Sequence, residues 1–204
     1  MAERIISTVD GTLIDAWASF KSFKRKDDKE PPKPGDGTGM VDFKGEKRSN
    51  ATHQSTTDPE AKLMRKGNGQ PARLSYGGHA LMENRSGLCV DLLITDATLA
   101  EHQAARQLLT RARRRKIHPK TLGADKGYHV KDFVQHLREH KIKPHIARID
   151  GRKTPGLDGR TTCTEGYKVS QRKRKRIEEI FGWLKTVGYN LLRIAKLQSA
   201  GSAA

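Results

Sequence analysis

In S-T-V-D-G-T-L-I-D-A-W, residues 7–17, Asp10 stands where the first apolar run breaks on Gly11. Three roles suit a carboxylate in that place. Asp-Gly between apolar flanks is a hairpin signal, which would make Asp10 a turn residue without chemistry. A carboxylate opening D-G-T-L also suits phosphoryl transfer by an aspartyl nucleophile. At the end of a central strand, the same side chain would be a ligand for a divalent metal, provided that other carboxylates come from elsewhere in the chain.

Two further segments supply such partners. T-L-G-A-D is a second short apolar run that ends in aspartate, Asp125, and K-G-Y follows it. If both runs are central parallel strands, their C-terminal ends emerge side by side, where open α/β sheets bind ligands. Two carboxylates there repel one another, and a divalent cation is the natural compensation. In the late segment V-S-Q-R-K-R-K-R-I-E-E-I-F-G-W-L-K, Ile177, Ile180, Phe181 and Leu184 recur at the helical period and form a buried stripe. Arg174, Glu178 and Lys185 then share one edge of that stripe, and Glu179 points to solvent. The simpler role for Arg174 and Glu178 is an i,i+4 ion pair on a solvated basic face.

The elements that would position these side chains follow from the pattern. A short strand covers residues 4–10. From Lys21 to about Ala72 the chain is polar, with K-R-K-D-D-K-E-P-P-K-P-G-D-G-T-G and few large apolar residues, and it reads as a flexible insertion. Leu74 to Met82 and Leu88 to Thr95 are β-rich and flank the turn signal Asn84-Arg85-Ser86-Gly87. Thr98 and Glu101 match a capping box, and Ala105, Leu108, Leu109 and Ala112 continue a helix whose basic end, Arg113 to Lys116, suits the helix dipole. A helix over about Val130 to His140 turns Phe133, Val134 and Leu137 inward. A strand follows in K-I-K-P-H-I-A, then a Gly/Pro/Thr-rich loop over 150–164. The order is an α/β pattern with an antiparallel start.

Composition narrows the partner. Across 204 residues, 40 Lys+Arg against 23 Asp+Glu give a net charge of +17. Such an excess attracts polyanions by releasing their condensed counterions, so nucleic acid leads. No apolar run reaches the length of about 18 residues that a membrane helix needs, and the N-terminus has no signal-peptide layout. A soluble intracellular protein is expected. Cys89 and Cys163 show no metal-ligand spacing and read as free thiols. His79, His102, His118, His129, His136, His140 and His145 are scattered and read as surface or interface groups, and Trp17 and Trp183 as packing residues.

Together these segments resemble the catalytic domain of DDE transposases of bacterial insertion sequences, in the branch whose third carboxylate lies in Y-x2-R-x3-E-x6-K. V-D-G-T at 9–12 and A-D-K-G-Y at 124–128 fit the first two aspartate motifs, and Arg174, Glu178 and Lys185 fit the third. The similarity runs on through D-F-K-G-E-K-R-S-N and G-G-H-A-L-M-E-N-R-S-G-L and covers nearly the whole chain. It implies one RNase H-like domain over 1–204, a mixed five-stranded sheet with flanking helices, and a long disordered insertion after the first strand, set at 21–72. It implies a Mg²⁺-dependent enzyme in which Asp10, Asp125 and Glu178 hold two ions, with Mn²⁺ able to substitute. Arg174, Lys185, Lys126, Arg172 and Lys173 would bind DNA. The partners would be terminal inverted repeats and target DNA, with room for a homodimer on the DNA, in a bacterial cytoplasm.

The chain departs from the pattern in three places. Gln171 stands where the branch has tyrosine, and the nearest tyrosine is Tyr167. The helical region that usually precedes the first aspartate is absent, and Tyr189-Asn190-Leu191-Leu192-Arg193 follows Lys185 sooner than usual, so both ends read as shortened. A rival reading is therefore a catalytically inactive DNA-binding remnant. Thr8 excludes a phosphatase of the haloacid-dehalogenase type, whose nucleophilic aspartate would stand there.

Overall fold

The computed structural model describes residues 5–27 and 48–186. The expectations for 28–47, the middle of the polar insertion, and for 189–193 lie outside those residues. Strand β1, Ile5–Asp15, is longer than its apolar run and passes straight through Asp10 and Gly11. The turn that Asp-Gly favours locally does not form there. β1 has strand neighbours on both sides, and its ladder bonds hold the backbone extended against the local turn preference.

β5, Arg73–Glu83, and β6, Cys89–Asp96, form the expected hairpin. Its turn closes with the Gly87 N–H donating to the Glu83 carbonyl at 2.9 Å, and Gly87 takes a φ of 78°, which only glycine adopts at little cost. Asn84 N–H donates to Ile6 O and Ala16 N–H to Leu74 O, so β5 runs antiparallel to β1. β7, Pro119–Ala124, lies parallel to the other side of β1, and β8, Lys143–Ile146, lies parallel to β7. The order β6-β5-β1-β7-β8, antiparallel at one side and parallel at the other, is the mixed five-stranded sheet of an RNase H-like fold, and a sixth strand, described below, pairs with the start of β5.

Helices cover both faces. α1, Glu101–Arg114, buries Ala104, Ala105, Leu108, Leu109 and Ala112, and α2, Lys131–Glu139, buries Phe133, Val134 and Leu137. These join Val9, Leu81, Leu122 and Ile146 in the main core. Each fully buried leucine or phenylalanine there stabilises the fold by about 1.5–3 kcal/mol. Successive β5 residues point to opposite faces, so Ala80 and Met82 meet Ile177 and Phe181 on the other side. α3 is Gly159–Thr162; α4, Glu165–Lys173, continues through a 3-10 turn, Arg174–Arg176, into a helix over 177–186. Among the described residues no helix is long and apolar enough to cross a membrane.

The described residues group into two compact units. The core above belongs to the unit drawn from 1–12, 78–93 and 100–204; the second is drawn from 13–77 and 94–99. Part of the polar segment 21–72 is regular in this second unit. β2, Phe23–Arg25, pairs antiparallel with β3, His53–Ser55, and β4, Lys62–Met64, pairs with Arg73–Ser75 of β5. Phe23, Ala61 and Leu74 make its small core, Phe23 stacks on His53 at 5.4 Å, and Tyr76 donates to Asp58 at 2.6 Å. One aromatic and a few polar pairs thus order segments whose composition reads as loop.

Candidate active site

Backbone register brings the first two carboxylates together. Ile6 pairs with Thr121 and Thr8 with Gly123 across parallel β1 and β7, so two residues further on Asp10 and Asp125 stand abreast. Asp10 lies inside β1 instead of at its end, and Asp125 directly follows β7. A Cβ at Gly123 would come within 2.9 Å of Thr8 Oγ1, so the two strands can approach this closely only over a glycine.

Each aspartate is aimed by its own backbone. Asp10 Oδ1 accepts the Gly11 N–H at 2.9 Å, and Asp125 Oδ1 accepts the Gly127 N–H at 2.7 Å as the cap of the 3-10 turn Lys126–Tyr128. Partial burial pushes the Asp10 carboxyl up to about 6; the Gly11 N–H opposes this, Asp125 adds to it, Arg174 opposes and Glu178 adds. Arg174 and Glu178 are thus near enough for their charges to act on Asp10. Glu178 is exposed at the start of the 177–186 helix, over buried Ile177.

A further carboxylate joins them. Glu101, the first residue of α1, keeps an exposed edge, yet its carboxyl end lies against glycines of both strands' sites. A Cβ at Gly11 would fall 3.0 Å from Glu101 Oε1, and one at Gly127 would fall 3.3 Å from Glu101 Oε2. Desolvation, then Asp125, then Asp10 push it up to about 7. The expected capping box is not made. Asp96 takes both the Thr98 N–H and its hydroxyl, at 2.7 and 2.6 Å, and Ala100 becomes the cap residue. Glu101 is thereby left free to turn inward, and the sequence offers only its place at a helix start as a hint.

Other expected site residues spread out. Lys126 and Lys185 are exposed, Lys173 is half-exposed, and Arg172 is paired with Glu165 at 3.5 Å. Arg174 Nε donates to Gln171 Oε1 at 3.0 Å. Gln171 in turn donates to the His145 carbonyl, and Tyr167 to the Ile146 carbonyl at 3.0 Å, so both side chains tie α4 to the end of β8. His79, His129 and His145 are buried, against the expectation of surface groups. His129 Nδ1 accepts the Ile149 N–H, and burial, then Lys143 and Arg138, push His145 down to about 4. Trp17 and Trp183 are exposed instead of packed, at 71% and 73%. Trp183 lies off the stripe that its helix buries.

The donor set suits a hard divalent cation, because carboxylates lead it, and burial first and then their mutual repulsion raise Asp10 and Glu101; buried His79 lies beside them, its Nδ1 3.1 Å from where a Cβ at Gly11 would fall. Among the described residues, none of the four carboxylates has a lysine or arginine in ion-pair contact. Nor are three His, Cys, Asp or Glu side chains drawn tightly enough to close round one ion.

The family model described as Transposase DDE domain matches residues 35–203. Asp125, Glu178 and Glu101 fall within the matched span and Asp10 precedes it. No curated protein and no solved structure matches the chain.

Proposed function

The chain belongs to the transposase DDE-domain family, and we propose that it cuts and joins insertion-sequence DNA by metal-dependent phosphoryl transfer at Asp10, Asp125 and Glu178. The observation that carries this reading is the β1–β7 register, which sets Asp10 beside Asp125, with Glu178 acting on Asp10 from the late helix. Two Mg²⁺ ions, or Mn²⁺, held by these carboxylates would activate water or a DNA 3′-hydroxyl and stabilise the leaving oxygen.

The chain's own groups prepare that chemistry. The Gly11 and Gly127 N–H groups fix the two aspartates in their rotamers before any ion arrives. Gln171 holds Arg174, whose guanidinium faces Asp10 and would meet a phosphate entering the site. Lys126, Lys173 and Lys185 extend the positive surface for the DNA backbone, and Arg172 joins them on leaving Glu165. Transposon ends and target DNA are the substrates in this reading, and a homodimer would bring two ends together.

The test is cleavage of labelled terminal-repeat DNA by the purified chain with Mg²⁺ or Mn²⁺. The expected result is nicking or joining that Asp10→Ala, Asp125→Ala and Glu178→Gln each abolish while DNA affinity stays. Metal-independent binding without cleavage, over varied end sequences, would make the chain a DNA-binding remnant.

A further inference from the structure

We propose that Glu101 is a fourth metal-holding carboxylate of this site, placed by α1 between Asp10 and Asp125. The inference rests on the reading of those two aspartates as metal-holding and extends it to a residue outside the three acidic motifs.

Position is the first argument. One carboxyl oxygen of Glu101 lies 3.0 Å from where a Cβ at Gly11 would fall and the other 3.3 Å from where one at Gly127 would, and those are the two glycines whose N–H groups hold Asp10 and Asp125. Glu101 therefore stands beside both turns that aim the aspartates, without the three acids yet closing round one ion. A side chain at either glycine would press on the Glu101 carboxyl, which would have to give by a few tenths of an ångström.

The ordinary role of a first-turn glutamate is to balance the positive end of the helix dipole or to cap free N–H groups. Glu101 caps none: Ala100 is the cap residue of α1 and no side chain makes a cap bond there. A dipole partner also gains nothing from being driven toward two other carboxylates, because like charges at short range repel.

The second, independent observation is Tyr128. Its residue is fully buried, and its hydroxyl has no hydrogen-bond partner among the described residues. Burial first, and then the charges of Glu101, Asp10 and Asp125, push this hydroxyl well above its ordinary value, so Tyr128 stands near all three acids. A buried hydroxyl without a partner is costly, and a ligand sphere with bound water would supply one. The chemistry that suits three carboxylates and a hydroxyl is a hard divalent cation.

Mn²⁺ binding measured on the metal-free chain by electron paramagnetic resonance tests this without any DNA. Glu101→Gln is expected to weaken Mn²⁺ binding by at least about tenfold, as Asp10→Asn and Asp125→Asn also do. Its unfolding temperature without metal should equal or exceed that of the wild type, because a repulsion is removed. Glu101→Asp keeps the charge at the helix end but loses reach, so it should also bind weakly; full rescue by aspartate would show a dipole role and overturn the proposal. Wild-type Mn²⁺ binding in Glu101→Gln, with loss in both aspartate variants, would overturn it while leaving the two-aspartate site intact. Unchanged binding in all three would overturn the site itself.

Discussion

The two ends of α1 handle negative charge in opposite ways. At its C-terminal end Arg111 and Arg115 clasp the buried carboxylate of Asp91, at 3.0 and 2.8 Å, and the charge is settled within the protein. At its N-terminal end Glu101 adds a charge to Asp10 and Asp125, and among the described residues no lysine or arginine pairs with any of them. A protein that neutralises one carboxylate so fully and gathers three others without a partner leaves the second group dependent on something brought from outside. In the proposed reading Asp91 serves structure and the cluster at the other end serves as the site.

The largest effect should come from the cluster. Asp10→Asn or Asp125→Asn removes a contribution of several kcal/mol to the transition state, roughly a thousandfold in cleavage rate, and steady-state cleavage of end DNA measures it. Stability should hardly change. Asp91→Ala should do the reverse: it leaves cleavage per folded molecule unchanged and lowers unfolding stability by about 1–2 kcal/mol, because charge-assisted hydrogen bonds are lost while both arginines, nearly half exposed, return to water. Urea denaturation reads that loss. If Asp91→Ala also weakened Mn²⁺ binding, the contrast between the two ends would break.

A smaller effect sharpens the comparison through pH. Asp10 at about 6 and Glu101 at about 7 lie above ordinary carboxyl values near 4. Between those limits the folded chain holds protons that the unfolded chain has released, so this contribution to metal-free stability is present at low pH and is lost as pH rises through 6 to 7. Glu101→Gln removes one of the two contributions. Its unfolding temperature relative to the wild type should therefore climb from about pH 4.5 to about pH 7.5. A flat difference for Glu101→Gln would mean that its carboxyl does not feel the aspartates.

Asp125, Arg174 and Glu178 could be read ahead of the structure because each sits on a strong local pattern: an apolar run that ends in aspartate, or a helix with a clear stripe. The order of elements along the chain was legible for the same reason, since β5 and β6 carry a turn signal and the helices keep their period. Asp10 misled locally. Asp-Gly favours a turn in a short peptide, but β1 is bonded to β5 and β7 and stays extended through both residues. Glu101 was hidden by a competition among side chains, because Asp96 captures Thr98 and dissolves a capping box that the spacing fits well. The order at β2 and β3 depends on Phe23 meeting His53, a contact across about 30 residues that no local pattern reveals.

The central claim is that Asp10 and Asp125 hold a divalent ion between β1 and β7. Crystals of the chain grown with Mn²⁺, measured at a wavelength where manganese scatters anomalously, test it directly. The account predicts a peak in contact with carboxyl oxygens of both aspartates, with Glu101 or Glu178 completing the shell. A well-ordered site with no peak there, or manganese bound only elsewhere on the chain, would contradict it.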